Sequence, residues 1–460
     1  MYNLDFDTPA NLHFTGIGGI SMSALAEIML SRGFQVSGSD TKESRITDHL
    51  ETLGAKIYYR QTAENITEDT DVLIYTAAVR QDNPELEKAR ELGIPLLTRA
   101  EFLGQIMLNY PTAIGVAGTH GKTTTTSMLS QIMLEADTDP TILVGGIMPA
   151  IQGNTRVGHS DKLITEACEY TNSFLSFKPS IGIILNVAAD HLDFFKDLDD
   201  IRHSFRKYAE LIPEDGCLII NSDIDDLEYF TEGLACRVIT VGSDPDKSMY
   251  SPGNIQYDHL AKGSYDLLIN GKKSFHVRLN VTGEHNIYNS LASIAASQFM
   301  GISDKDIIAG LLAYGGTDRR FQFKGKVGDV AIIDDYAHHP DEITATLKTA
   351  KHYPHNKTWV VFQPHTYTRT KALLPEFAKA LKDVDNVILA DIYAAREKNT
   401  IGISSKDLLN EIKKLDGNAF YFPSFSEIEN FLLENCSPGD LLITMGAGDV
   451  VKIGEHLLGN

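Results

Sequence analysis

The sequence predicts an α/β protein with mostly parallel sheets, and its 460 residues leave room for about three domains. Three observations predict it. Residues 12–40 read as strand, glycine-rich turn, helix and strand. The apolar run Thr112–Ala117 passes through a second glycine turn into residues with helical spacing. From residue 330 onward, strand and helix patterns alternate to the end of the sequence.

The first unit opens with a short strand at residues 12–16. Gly16-Ile17-Gly18-Gly19 follows, and Met22, Leu25, Ala26, Met29 and Leu30 mark one helix face. Residues 34–39 form the next strand, which ends at Asp40. A βαβ start with a glycine turn and an acid about twenty residues on is the layout of a dinucleotide site. Ser21 replaces the third glycine of G-x-G-x-x-G, so the turn reads either as a diphosphate site or as a structural turn. Residues 72–76 and 94–97 read as further strands, and 107–111 as a linker.

The second unit starts with residues 115–126, G-V-A-G-T-H-G-K-T-T-T-T. Met128, Leu129, Ile132, Met133 and Ala136 supply the helical stripe of residues 123–136. A strand, glycine turn and helix point several backbone N–H groups at one phosphate, with the positive helix end behind them. Gly118 and Gly121 permit close approach. Lys122 can neutralise β- and γ-phosphates, and the Thr123 hydroxyl can join a Mg²⁺ shell. The usual G-x-x-x-x-G-K-[ST] spacing would want glycine at Val116, so the signature is the shorter G-T-H-G-K-T of residues 118–123. The competing reading is a plain strand-to-helix turn with a solvated lysine. G-K-T-T directly after a buried strand favours the phosphate.

Residues 162–165 read as a strand with Glu166 at its end, and residues 181–187 as another, followed by Asp190-His191. Ligands sit at such strand ends in open α/β sheets. An acid and a histidine there can both serve Mg²⁺, but hard cations prefer oxygen, so His191 reads equally as a loop histidine. Residues 265–279 alternate around Asn270-Gly271, a hairpin signal. A helix then opens at residues 283–286, and His285, Asn286 and Asn289 share a face near its start. Their amides suit a purine edge; asparagine also caps helices.

Residues 324–329 read as a boundary. Beyond it, strands at 330–334, 358–362, 386–390 and 441–444 alternate with helices at 341–350, 372–381, 406–414, 426–433 and 450–457. Their ends carry D-D-Y-A-H-H-P (334–340), P-H-T-Y-T-R (364–369) and G-A-G-D (446–449).

Lys and Arg number 41 against 62 Asp and Glu, a net charge of −21, which argues against nucleic acid as a partner. The four cysteines are scattered without C-x-x-C spacing, which fits a reduced compartment. Residues 1–10 do not have the pattern of a signal peptide, and the sequence has no apolar run long enough to span a bilayer. A cytoplasmic location without membrane attachment is expected.

Taken together, residues 16–23 (G-I-G-G-I-S-M-S), 118–124, Glu166, 190–193 (D-H-L-D), His285-Asn286 with Asn289, Arg319-Arg320-Phe321, 335–340, 364–370 and 446–449 resemble the Mur ligase family over the whole chain. The resemblance implies an N-terminal Rossmann-like UDP-sugar-binding domain (1–107), a central P-loop-type ATPase domain (108–325) and a C-terminal Rossmann-like amino-acid-binding domain (326–460). Among family members the alanine-adding enzymes are most similar. They imply that ATP activates the lactyl carboxylate of UDP-N-acetylmuramate as an acyl phosphate, which the amine of L-alanine attacks, in peptidoglycan precursor synthesis. A monomer or weak homodimer is implied. The family assigns ATP to Gly118, Thr119, His120, Gly121, Lys122, Thr123, Thr124, His285, Asn286, Asn289 and Arg320. It assigns the UDP-sugar to Gly16, Ile17, Gly18, Gly19, Ser21, Met22, Ser23, Asp40 and Gln61. Tyr336, His338 and Arg369 fall to the amino acid, and Thr123, Glu166 and His191 to Mg²⁺. Lys122, His191, Arg320, His338 and Arg369 form the implied catalytic set.

Five positions depart from relatives. Arg60-Gln61 stands where many have Gly-His, Cys168 within Glu166–Thr171 where many have Asp, and Thr366 where some have Arg. Arg206 occupies the place of a carbamylated lysine, so no carbamate is expected. Three other readings compete. A nicotinamide dehydrogenase explains residues 16–40 but not 118–124, a nucleotide-gated binding protein would form no product, and a recycling ligase would join a whole peptide to the same sugar nucleotide.

Overall fold

The computed structural model describes residues 2–191, 194–258, 260–395 and 397–459; Leu192 and Asp193 of the D-H-L-D stretch lie outside them, as do both terminal residues. Three sheets organise the chain. The first has five parallel strands in the order Lys56–Tyr58, Gln35–Ser39, Asn11–Thr15, Val72–Tyr75 and Leu96–Thr98. Its order reverses at Asn11–Thr15, which places the glycine turn at a topological switch point, where open sheets leave a crevice.

The second sheet has ten strands, with Thr112–Ala117 in its interior between Lys162–Glu166 and Ile181–Ile184, both parallel to it. The register pairs Val116 with Glu166 and Ala117 with Ile184. The glycine loop, Glu166 and the segment leading to His191 therefore leave three neighbouring strands at one edge. Apolar residues on both faces let Thr112–Ala117 run through the core, as buried parallel strands require. The buried Tyr208 hydroxyl donates to the Gly115 carbonyl at 2.8 Å, and its ring stacks on Phe174 with centroids 4.9 Å apart. The expected hairpin forms as Lys262–Ile269 and Lys272–Thr282.

The third sheet has six strands, parallel except for the edge strand Gln322–Val327, which pairs antiparallel with Val330–Asp335. The stretch expected as a boundary thus contributes to this strand and its turn, because Gly328 and Asp329 close a tight hairpin with positive φ. Its adjoining order is Val330–Asp335, Leu441–Met445, Thr358–Phe362, Asn386–Leu389 and Ala419–Tyr421. The helix expected at 372–381 divides into Tyr367–Ala372 and Leu374–Leu381, since Pro375 follows the break and lacks the N–H to continue a turn. No helix among the described residues is long and apolar enough to cross a membrane.

Helix Arg99–Met107 of the first unit lies against Tyr170–Ser176 of the second. Gly104 makes this contact: a Cβ there would fall on the backbone carbonyl of Ser176. Gly104→Ala is expected to destabilise the protein by about 1–3 kcal/mol through overpacking. Thermal unfolding should show a lower Tm, and an unchanged Tm would mean the two elements separate freely.

Candidate active site

The glycine loop is built by two left-handed residues, Gly118 (φ 144°) and Gly121 (φ 87°). A Cβ on Gly121 would meet Asn289 Oδ1 at 2.7 Å, so the asparagine helix closes on the loop. Asn186 braces it from the other side: His120 N–H donates to Asn186 Oδ1 at 2.8 Å, and Asn186 Nδ2 donates to the His120 carbonyl at 3.0 Å. Lys122 folds back over the loop. Its ammonium donates to the Gly118 and Thr119 carbonyls and, at 2.9 Å, to Glu169 Oε2. Burial disfavours the ammonium, but Glu169, Cys168 and Glu166 outweigh that and hold Lys122 charged, well above the usual lysine range.

Two clefts are lined by residues of this loop, and a third cavity opens between the second and third units. The largest, 990 Å³, takes residues from all three sheets' units: Ser23 and Arg45, then Thr123 and Glu166, then Arg320 and Tyr336. Glu166 Oε1 accepts from Gly145 N–H at 2.6 Å. A hydroxyl and a carboxylate on one cleft are the oxygen donors a hard divalent cation takes, so Thr123 and Glu166 fit Mg²⁺.

His191 is not in that cleft. It lines a 660 Å³ cavity with Tyr170, Asp190, His365, Arg369 and Glu397. Its backbone is left-handed (φ 53°), as is that of Thr366 (φ 64°) across the cavity, a strain that marks functional loops. Arg369 reaches across from the third unit to Asp190 of the second, Nη2 to Oδ1 at 3.2 Å. Burial pushes the Asp190 carboxyl up, but Arg369 and His191 hold it far below the usual carboxylate range.

The other cleft on the loop, 240 Å³, joins His120, Gly121, His285, Asn286 and Asn289 to Arg320 and Glu342. Asn289 donates to Asn286 Oδ1 at 3.0 Å, and Asn286 donates to the Thr282 carbonyl at 2.7 Å, so both amides are oriented. Burial, with Arg320 beside it, pushes His285 down to about 4, which leaves the imidazole neutral.

Glu342 ties the third unit to the glycine loop. Its Oε2 accepts from His338 N–H at 3.0 Å, and its Oε1 lies 3.3 Å from His120 Nδ1 and 3.8 Å from Arg320 Nη1. Burial opposes the charge, but His338, His120 and Arg320 keep the carboxylate well below its ordinary range. His338 sits between the sites, its ring 5.4 Å from Tyr336 and 5.8 Å from His365. The expected amino-acid trio is therefore spread: Arg369 lines one cavity and Tyr336 another.

In the first unit, Gly16 and Ile17 N–H groups donate to the Ser39 carbonyl at 2.8 and 3.0 Å, and Gly18 N–H donates to Asp40 Oδ2 at 2.9 Å. A Cβ on Gly18 would stand 2.8 Å from that oxygen. Gly19 precedes helix Ile20–Ser31, on which Ser21 is exposed. The Ile17 and Met22 side chains are buried, so their backbone is what the turn offers. Gln61 Oε1 accepts from Asn83 at 2.8 Å.

Sequence reasoning missed Glu169 and Glu342 as site residues. Glu342 carried a signal: it stands three residues after the N-cap His339, the capping-box position. Glu169 carried none in its spacing.

Three parts of the chain match family descriptions in order: residues 11–111 match "Mur ligase family, catalytic domain", 116–297 "Mur ligase middle domain" and 319–448 "Mur ligase, glutamate ligase domain". A UDP-N-acetylmuramate–L-alanine ligase of Lachnospira eligens is 60% identical over 458 residues, covering 100% of both chains. One of Agathobacter rectalis is 58% identical, again over 100% of both. The crystal structure of a UDP-N-acetylmuramate–alanine ligase from Thermotoga maritima superposes with a TM-score of 0.79 at 30% identity, covering 98% of each chain. A murein peptide ligase from Psychrobacter arcticus shares the fold, with a TM-score of 0.70 at 24% identity over 98% of each chain. With its three units matched in order and its relatives alike from end to end, the chain belongs to the Mur ligase family.

Proposed function

We propose that this protein joins L-alanine to the lactyl carboxylate of UDP-N-acetylmuramate with cleavage of ATP to ADP and phosphate, the carboxylate taking the γ-phosphoryl group as an acyl phosphate and the alanine amine displacing it as phosphate, in peptidoglycan precursor synthesis. The observation that carries the chemistry is the meeting of two clefts on the glycine loop and Arg320, one of them lined by all three units, with the His191–Arg369 cavity opening between the second and third units. The substrates are those named for the full-length relatives at 58–60% identity.

A carboxylate resists attack by an amine until its oxygen is made a leaving group. Phosphoryl transfer needs positioning and charge neutralisation more than covalent help. Residues 118–124 cradle the phosphates of ATP with backbone N–H groups, and Lys122 and Arg320 neutralise the transferring group. His285, Asn286 and Asn289 face the purine. Thr123 and Glu166 hold one Mg²⁺, and His191 belongs to a second; bound there, the ions offset phosphate and carboxylate charge. The turn of residues 16–23, with Asp40 and Gln61, takes the sugar nucleotide. His338, Tyr336 and Arg369 position alanine and the muramyl carboxylate. The first unit ends near residue 107 and the second runs from 108, but the third begins before 326, since strand Gln322–Val327 belongs to the third sheet; a cytoplasmic monomer or weak homodimer completes the reading.

ADP and phosphate are expected only when UDP-N-acetylmuramate, L-alanine and MgATP are all present, followed by coupled phosphate release. Turnover without the sugar nucleotide, or with a tripeptide in place of alanine at equal rate, would overturn this assignment.

Arg369 belongs to the third unit and His191 to the second, so their cavity is complete only when the units are closed. Arg369→Ala is expected to raise KM for alanine at least about tenfold, the loss of one charge-assisted contact of about 1.5–3 kcal/mol, with KM for ATP nearly constant. Saturation kinetics in each substrate decide it; equal changes in both would make Arg369 a hinge contact only.

A further inference from the structure

Glu169 is 2% exposed and carries one of the few buried polar atoms among the described residues without a hydrogen-bond partner, Oε1. Its other oxygen accepts from Lys122. The free oxygen points toward His191, with Nε2 3.8 Å away. Asp190 Oδ2 also lies 3.8 Å from that nitrogen, but the Asp190 charge is shared with Arg369, which with the His191 backbone N–H binds its Oδ1, whereas Glu169 Oε1 has no partner. An orphaned, deeply buried carboxylate oxygen costs free energy unless something occupies it in the working state.

A lone imidazole is a poor seat for Mg²⁺, which takes oxygen ligands at about 2.0–2.1 Å and retains water and substrate oxygens around one or two carboxylates. Two ligands on one such ion stand at most about 4.2 Å apart, twice that bond length. The Glu169–His191 spacing falls within that limit.

We propose that Glu169, together with His191, is a ligand of a divalent cation, and that it holds Lys122 in reserve until that cation binds. While Lys122 lies on Glu169 and on the Gly118 and Thr119 carbonyls, it is turned onto its own loop. A cation between Glu169 and His191 draws the carboxylate away and repels the ammonium, which then turns to the phosphates. Nucleotide without metal meets a lysine already paired. This rests on the ATP-dependent reading of the loop and deepens it.

The test counts Mn²⁺ by electron paramagnetic resonance on the full chain with a non-hydrolysable ATP analogue and UDP-N-acetylmuramate, a complex that cannot turn over. Two Mn²⁺ per chain are expected in the wild type. Glu169→Gln should weaken the second at least tenfold, as should His191→Ala, while the first is unchanged. In metal-free buffer, calorimetry should show Glu169→Gln binding ADP at least threefold more tightly, because Lys122 is released; a merely structural carboxylate would give equal or weaker binding. Unchanged second-site affinity in Glu169→Gln overturns the proposal, as does unimproved metal-free ADP binding. One Mn²⁺ in the wild-type complex overturns it without any variant, should Glu169→Gln fold poorly. Product formation with the three substrates is scored separately, so failure here leaves the ligase reading standing.

Discussion

Lys122→Ala should lower kcat by ~10²–10³-fold or more, the loss expected when a preorganised charge is removed from a transition state. Residues 118–124 contain one other titratable group, His120, and its charge is committed to Glu342 at 3.3 Å. No neighbour replaces the ammonium. The substitution has a second consequence, because it strands Glu169 as a buried carboxylate without its cation. Breaking a buried pair from one side costs about 3–5 kcal/mol, so the variant should also melt earlier. The double variant Lys122→Ala/Glu169→Gln separates the two effects: it should recover most of the stability and none of the turnover. If Lys122→Ala retains more than a tenth of wild-type kcat at a temperature where it is folded, Lys122 is only the first residue of a helix.

The sequence made the frame of this site legible because the frame is local. Thr112–Ala117 is apolar on both faces, glycines mark the turns, and each cluster of polar residues follows a strand, so Glu166, His191 and residues 334–340 could be placed at strand ends before any contact was known. Side-chain partners were not legible. Arg369 and Asp190 stand 179 residues apart and pair only because the third sheet docks on the second. Thr123 and Glu166 share one cleft while His191 faces another, a separation set by how the loop after Ile181–Ile184 turns, with His191 itself in a left-handed conformation that no spacing rule predicts for histidine. Glu169 is hidden for the same reason. Three residues past a strand end, it could have been a solvated acid; the irregular turn of Tyr170–Ser176, with Thr171 and Asn172 both left-handed, is associated with its placement beside Lys122 instead. The strand Gln322–Val327 escaped notice because lysines and glycine dilute its alternation, as is common on sheet edges.

Adjacent arginines give the sharpest remaining contrast. Arg319 and Arg320 are neighbours in sequence with opposite commitments. Arg319 donates through Nε to Asp334 at 2.9 Å and through its terminal nitrogens to the Gly448 and Gly446 carbonyls at 3.1 and 2.6 Å. Asp334 is wholly buried, so Arg319→Ala leaves an uncompensated charge and should destabilise the protein by about 3–5 kcal/mol. Arg320 has no such anchor. Its guanidinium lies over the Tyr336 ring, 5.3 Å from the centroid, with Glu342 3.8 Å away, and it borders both the cleft of Thr123 and Glu166 and that of His120 and Asn289. A planar cation parked on an aromatic face at the meeting of two clefts can donate to phosphate oxygens without first breaking a tight ion pair. Arg320→Ala should therefore lower kcat by ~10²-fold or more with little change in Tm, as removal of one transition-state donor does. Arg320→Lys should recover little, since an ammonium lacks the fork that bridges two oxygens and stacks less well on Tyr336. Thermal unfolding and steady-state kinetics on the two alanine variants are enough to decide. The expected pattern is crossed: Arg319→Ala loses stability first and Arg320→Ala loses turnover first. If Arg320→Ala instead melts early and keeps its kcat when folded, the arginine is a strut between units, and phosphate neutralisation falls to Lys122 alone.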